Sequence, residues 1–224
     1  MNIPTKLAST VLVLAAVATT IVVAVPAKPN TDGKGGYVLF TPHAKAVAGI
    51  CRVVQDKSLC CKTLKHVPSD DPIQLIRSMA SAAEAATKDS LKFLSGIKPK
   101  YKGKEFAIKS CEKNLDYALE DFADFWKLAG KDETSMAENY FTCKQKMTSI
   151  FGYHSTCLDD VNEVDKNLMK EVEGGIGLGK NLSGETLDVY ARLNDIFKGF
   201  GIKAELNEKE TDPLQPPPIS NYYY

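Results

Sequence analysis

Apolar positions recur at intervals of three and four residues through the middle of the chain, the spacing of one buried helix face. The segment SDDP at 69–72 offers Asp70 or Asp71 as a helix cap, with Pro72 at the first helical position. Ile76, Ala80, Ala83, Thr87, Ser90, Leu94 and Ile97 then share one stripe, and the helix is expected to stop before Pro99. A second stripe runs through Ile108, Cys111, Leu115, Ala118, Phe122, Phe125 and Ala129 and ends at Gly130, a suitable C-terminal cap. A third, behind Thr134 as its cap, takes in Met136, Tyr140, Cys143, Met147, Ile150, His154, Cys157, Val161 and Val164, about eight turns. After the glycines of EGGIGLG a fourth follows with Leu187, Tyr190, Leu193 and Phe197. The pattern predicts an all-α fold: an antiparallel four-helix bundle preceded by a short cysteine-rich helical piece over 42–64. No strand pattern and no internal repeat competes with it.

The two ends read differently. Leu7 to Val25 carries no charge, follows Lys6 and has the length of a short bilayer span, while Val25-Pro26-Ala27 satisfies the small-residue rule for cleavage before Lys28. Residues 1–27 are therefore read as a signal peptide or signal anchor, 28–41 as a linker and 42–202 as the helical domain. Pro213 and Pro216 to Pro218 oppose helix and central strand alike, so 203–224 is read as a Pro-rich disordered tail. The expected route is export to the secretory path, with membrane contact only through an uncleaved N-terminal segment. Export favours disulfides.

Charge adds an exclusion. The chain holds 28 basic and 28 acidic residues, without the basic excess that a nucleic-acid-binding face needs. Three of its six cysteines crowd into CRVVQDKSLCC at 51–61, against three histidines in all. Structural zinc favours cysteines two to four residues apart with matching partners, whereas eight residues separate Cys51 from Cys60, and no redox CxxC is present. Disulfide is the better reading, although six cysteines allow 15 pairings. Geometry selects one of them. The second and third helices turn back near Gly130 to Asp132, which brings Cys111 and Cys157 to one level, both on apolar stripes. A bond there closes a long loop and contributes on the order of 3 to 4 kcal/mol in the loop-entropy account.

Other residues have plain readings. His154, on an apolar stripe with no second ligand at metal spacing, reads as a buried, hydrogen-bonded histidine rather than a metal ligand or acid/base group. The neighbouring acids Asp159 and Asp160, and Glu120 and Asp121, splay apart on a helix and read as solvated faces. The basic run KPKYKGK at 98–104 reads as a solvated loop between helices, and Trp126 with Phe125 as core. Asn181-Leu182-Ser183 is an N-glycosylation sequon in glycine-rich surroundings that imply exposure.

Taken together, the CxxxxxxxxC spacing of 51–60, SCEKNLDYALEDFADF at 110–125 and TSIFGYHSTCLDDV at 148–161 resemble the plant pectin methylesterase inhibitor and invertase inhibitor domain family. AVAGIC at 46–51, CKTL at 61–64, SDDPIQLI at 69–76, YALEDF at 117–122 and YHSTCLDDV at 153–161 are similar in particular to the inhibitor-like pro-regions of pectin methylesterases. The resemblance covers about residues 44–200. It implies disulfides Cys51–Cys60 and Cys111–Cys157, and it leaves Cys61 and Cys143 outside the family's four, as an extra pair or as thiols.

It further implies a secreted, cell-wall inhibitor with no catalytic residue, metal or cofactor, whose partner is a pectin methylesterase covered at its pectin cleft. In precursors of this kind an esterase module follows the inhibitor-like region; here the chain ends at the proline-rich tail, so a stand-alone inhibitor or an orphaned pro-region with a folding or retention role is expected. An acid invertase is the alternative target. Inhibitors of invertase share a Pro-Lys-Phe loop between the second and third helices, which AGKDETSM at 129–136 lacks, while Pro99-Lys100-Tyr101 lies one loop too early.

Overall fold

A computed structural model describes residues 41–209; the signal or anchor segment, nearly all of the linker and residues 210–224 lie outside the described residues. The first element is a helical hairpin, α1 (Pro42–Cys51) and α2 (Lys57–Leu64), capped by the side chains of Thr41 and Asp56. Helix α3 (Pro72–Ile97) starts at Asp71, whose carboxylate accepts the Ile73 N–H at 2.9 Å, and gives way to a 3₁₀ turn over Lys98–Lys100 at Pro99. Helix α4 (Glu105–Leu128) ends at Gly130, where a φ of 52° supplies the left-handed turn that a residue with a Cβ avoids.

The remaining helices divide differently from the expectation. The third stripe breaks at Asn139 into α5 (Glu133–Glu138) and α6 (Tyr140–Val164), and the cap is Asp132 rather than Thr134, since the Asp132 carboxylate accepts the Ser135 N–H at 2.9 Å. The fourth helix does not begin after the glycines. Asp165 accepts the N–H groups of Asn167 and Leu168 and starts α7 (Lys166–Ala191), which carries EGGIGLG in its interior; α8 (Leu193–Phe200) follows.

Helices α3, α4, α6 and α7 form the bundle, α3 and α6 each lying between α4 and α7. Small residues on α7 set the close approach. A Cβ on Gly175 would overlap the Phe93 ring, and one on Gly179 would lie 2.9 Å from His154 Cε1 and 3.1 Å from Ser90 Oγ. The glycines therefore cost helix propensity locally but admit the side chains of α3 and α6 against the α7 backbone.

The core has two apolar clusters. One contains Met79, Phe122, Phe125, Tyr190, Phe197 and the Cys51–Cys60 disulfide; the other contains Leu94, Ile108, Leu115, Val161, Ile176 and the Cys111–Cys157 disulfide. Thr87 and Ser90 on α3 and His154 on α6, all buried, form a polar layer between them in the order of residues along each helix, with Gly179 facing them from α7; Ser183 is buried one residue past Leu182 of the first cluster. The longer disulfide loop, with a sequence separation of 46, contributes about 4 kcal/mol in the loop-entropy account, and the shorter, with a separation of 9, about 2.5 kcal/mol.

Packing continues past residue 202, where the sequence reading ends the domain. Ile202, Ala204 and Leu206 alternate toward the core as an extended strap, and the Asn207 N–H donates to the Ala137 carbonyl at 2.9 Å, so the first residues assigned to the tail are held by the bundle.

The hairpin is seated on α7 and α8. Gly49 lies against the Phe200 ring, and Arg52 Nη2 donates to the Asp195 carbonyl at 3.0 Å. In the turn before α2, the Gln55 N–H donates to Asp188 Oδ2 at 3.2 Å and the Asp56 N–H to Glu185 Oε1 at 2.8 Å. Glu185 is 6% exposed and its Oε2 is buried without a partner. Burial pushes its carboxyl up; the Asp56 N–H opposes this, and the charges of Asp188 and Asp56 add to it.

Two outcomes follow from this packing. Gly179→Ala is expected to destabilise the domain by roughly 1 to 3 kcal/mol despite alanine's better helix propensity, because the added methyl meets His154 and Ser90; the shift of the urea midpoint at constant slope measures it. For Glu185, a raised folded-state pKa means that the folded protein holds the proton more tightly than the unfolded chain. Its contribution to hairpin seating is fully present below the unfolded carboxylate range and is lost as pH rises through the folded value. Amide exchange at Gln55 and Asp56, corrected for intrinsic rate, should quicken over that rise in the native protein and stay flat in Glu185→Gln.

Candidate functional site

Among the described residues, no group of three histidine, cysteine or carboxylate side chains is placed to hold a metal ion. The residues singled out from the sequence disperse. His154 sits inside the bundle: Thr87 Oγ1 donates to the Ala83 carbonyl at 2.9 Å and so accepts from His154 Nε2–H at 3.0 Å, leaving Nδ1 buried without a partner. Burial, assisted by the charge of Lys180, pulls its pKa down to about 4, so the ring is neutral through mildly acidic pH.

The neighbouring acids diverge as helix geometry requires. Asp160 accepts from Ser110 Oγ at 2.7 Å and Asn114 Nδ2 at 3.3 Å, while Asp159 is exposed. Asp121 binds Lys146 at 2.8 Å, while Glu120 is exposed. Cys61 is an exposed thiol on α2 and Cys143 a buried one on α6, whose pKa burial raises to about 12; the two are not bonded to each other.

The basic run at 98–104 is not a free cationic patch. Lys98 pairs with Glu112, Lys100 with Glu171 at 2.5 Å and Lys104 with Asp165, and the Tyr101 hydroxyl donates to Glu171. Lys100, followed by Tyr101, holds the Glu171 carboxyl below the usual range, and Lys104 does the same for Asp165. Phe125 is core. Trp126 is half-buried, with its indole N–H donated to Glu84 Oε2 at 2.7 Å and the Arg77 guanidinium 4.9 Å from its ring centroid. Arg77 also donates to the Gly130 carbonyl, so this cluster closes the C-terminal end of α4.

Among the described residues, one outward face is built from side chains of two helices. Along α4 and α6 runs a ladder in which Asp160 joins Ser110 and Asn114, the rings of Tyr117 and Tyr153 lie 5.7 Å apart, and Lys146 bridges Asp121 and Asp124 at 2.8 and 3.2 Å. Lys113 stands over the Tyr117 ring at 5.4 Å. Lys127 and Lys146 together hold the Asp124 carboxyl below its ordinary range, and Asp121, then Asp124, hold the Lys146 ammonium above its own. Such a face is rigid, amphipathic and already internally bonded, which suits it to protein contact rather than to chemistry on a bound molecule. Underneath the hairpin, and not on the outer surface, lies the seat formed by the buried Glu185 and the half-buried Asp188, which the sequence reading missed. Its signal is a carboxylate at 185 among the buried Leu182, Ser183, Thr186 and Val189 of α7.

Residues 45–189 match the family model described as plant invertase/pectin methylesterase inhibitor. Pectinesterase 5 of Arabidopsis thaliana is 33% identical over 180 residues, covering 77% of this chain and 29% of its own length. A probable pectinesterase/pectinesterase inhibitor of Brassica napus is 31% identical over 179 residues, covering 77% of this chain and 30% of its own. The chain thus spans under a third of the length of these relatives. In fold it is similar to a crystal structure of a mutant pectin methylesterase inhibitor from Arabidopsis, with a TM-score of 0.50 at 20% identity over 65% of this chain and 95% of that one. The disulfide-tied helical bundle and a family match that runs from the hairpin to the end of α7 place the chain in the plant invertase/pectin methylesterase inhibitor family.

Proposed function

We propose that the domain is a non-catalytic inhibitor of plant pectin methylesterase, secreted to the cell wall, that forms a one-to-one complex and blocks access to the pectin-binding cleft. The observation that carries this reading is the family match over 45–189 on a bundle whose outer α4–α6 face is polar, aromatic and pre-bonded. Inhibition by such a surface is occlusion: rigid helices lose little freedom on docking, and Tyr117 with Lys113 supplies the kind of anchor that dominates interface energetics. Acid invertase is the alternative target within the same family description.

A second reading has its own support. The Arabidopsis and Brassica relatives carry the names of pectinesterases and the match takes in 29% and 30% of their lengths, which favours a domain that pairs with an esterase module in a precursor, with a folding or retention role.

The test is a titration of the purified helical domain against plant pectin methylesterase and acid invertase side by side. The domain alone should hydrolyse neither pectin nor sucrose. It should raise the apparent KM of the esterase without lowering kcat, with one equivalent sufficient at high enzyme concentration and stronger inhibition at about pH 5 to 6 than at about pH 8, the direction expected when ionised carboxylates of this face meet partner groups that are cationic only at the lower pH. Tyr117→Ala should weaken inhibition about tenfold without moving the melting temperature. Inhibition of invertase alone would transfer the proposal to the alternative target, and inhibition of neither, with binding to an esterase module, would favour the precursor role.

A further inference from the structure

The sequon Asn181-Leu182-Ser183 lies within α7, not in a loop. Successive helical residues are rotated by about 100°, so residues two apart face nearly opposite sides. The structure bears this out: Asn181 is exposed, while Ser183 is fully buried, its Oγ without a hydrogen-bond partner in the core. An enzyme that transfers an oligosaccharide to Asn-X-Ser has to engage both the asparagine amide and the hydroxyl two residues on. In the folded bundle no single surface offers the two together.

The ground around Asn181 is also unusual. A helical side chain leans toward the N-terminal end of its helix and covers the turn before its own Cα. For Asn181 that turn holds Gly177 and Leu178. Leu178 is 56% exposed, one of few large apolar side chains in the described chain that stand open to solvent, and nothing lies within 4 Å of a Cβ built on Gly174 or Gly177. A sugar attached at Asn181 has clear space over the two glycines and an apolar side chain for its non-polar face.

From these two observations we propose that Asn181 is an N-glycosylation site open only before α7 folds, and that the attached glycan then lies over Leu178 on the outer face of the bundle. In the transfer, the Asn181 amide nitrogen forms a bond to the anomeric carbon of a lipid-pyrophosphate-linked oligosaccharide. The bond from that carbon to the pyrophosphate oxygen breaks, the lipid pyrophosphate leaves, and the amide gives up one proton to the transferase. Folding afterwards withdraws Ser183 and closes the site.

The experiment uses the full chain in two arms. Expressed in plant secretory cells, it should carry one glycan that peptide N-glycosidase removes, leaving aspartate at 181, and Asn181→Gln should abolish the modification. Unglycosylated chain made in bacteria should then be offered to microsomal transferase with its lipid-linked oligosaccharide, once folded and oxidised, once reduced and unfolded. Modification of the unfolded chain alone, by at least tenfold over the folded one, is the expected result; equal modification of both overturns the gating, and modification of neither overturns the site. Removing the glycan from the folded protein should raise binding of a hydrophobic dye, and in Leu178→Ser that rise should vanish. A rise that persists in Leu178→Ser overturns the placement of the sugar over Leu178.

Discussion

The bundle depends on how closely α7 approaches its two neighbours. Gly179 lets the His154 ring reach the α7 backbone, and with that ring comes the hydrogen bond to Thr87 that joins α6 to α3 through the middle of the core. A polar layer at this depth costs stability wherever an atom goes unpaired, as His154 Nδ1 does. In return it rejects sliding of the helices by one turn, since any other register would set the imidazole against an apolar layer. The same helix carries Glu185 and Asp188 near its far end, so the seat of the hairpin is fixed by the register of α7.

Helices α3 and α4 were legible because one uninterrupted stripe lay between clear punctuation marks: Asp71 and Pro72 in front of α3, Pro99 behind it, and Gly130 behind α4. Helix α7 was not, because glycine weighs locally against helix while its reason for being there, the room it leaves for Phe93 and His154, belongs to other segments of the chain. Thr134 and Asp132 compete as caps within a few residues, and the choice fell to the aspartate, which presents a charged acceptor to the helix N-terminus. The strap was hidden in a polar, proline-bearing run although Ile202, Ala204 and Leu206 alternate with the period of an extended chain packed on one side.

For the outward surface the sequence was informative about what is absent and silent about pairing. Nothing in KPKYKGK announces that Glu112, Asp165 and Glu171 would come to meet its lysines, since these acids lie on α4, at the start of α7 and within α7. Glu185 and the backbone of Asp56 are likewise 129 residues apart in the chain. The α4–α6 ladder joins residues brought level by the antiparallel pairing that also aligns Cys111 with Cys157, yet Asp121 and Asp160, read as solvated, are engaged across it by Lys146 and Ser110.

The lysine loop, with three of its four lysines paired, has a consequence for how another protein is met. A chain with 28 charges of each sign has no net monopole, and the pairs at the lysine loop and on the α4–α6 face present local dipoles. Dipole fields fall off faster with distance than those of single charges, and in salt water both are screened beyond the Debye length of about 8 Å at physiological ionic strength. Encounter with another protein is then set by diffusion and shape with little long-range attraction to hasten it, and added salt should leave the association rate nearly unchanged. For a surface of this kind, selectivity is exercised after contact, in the time two surfaces stay together.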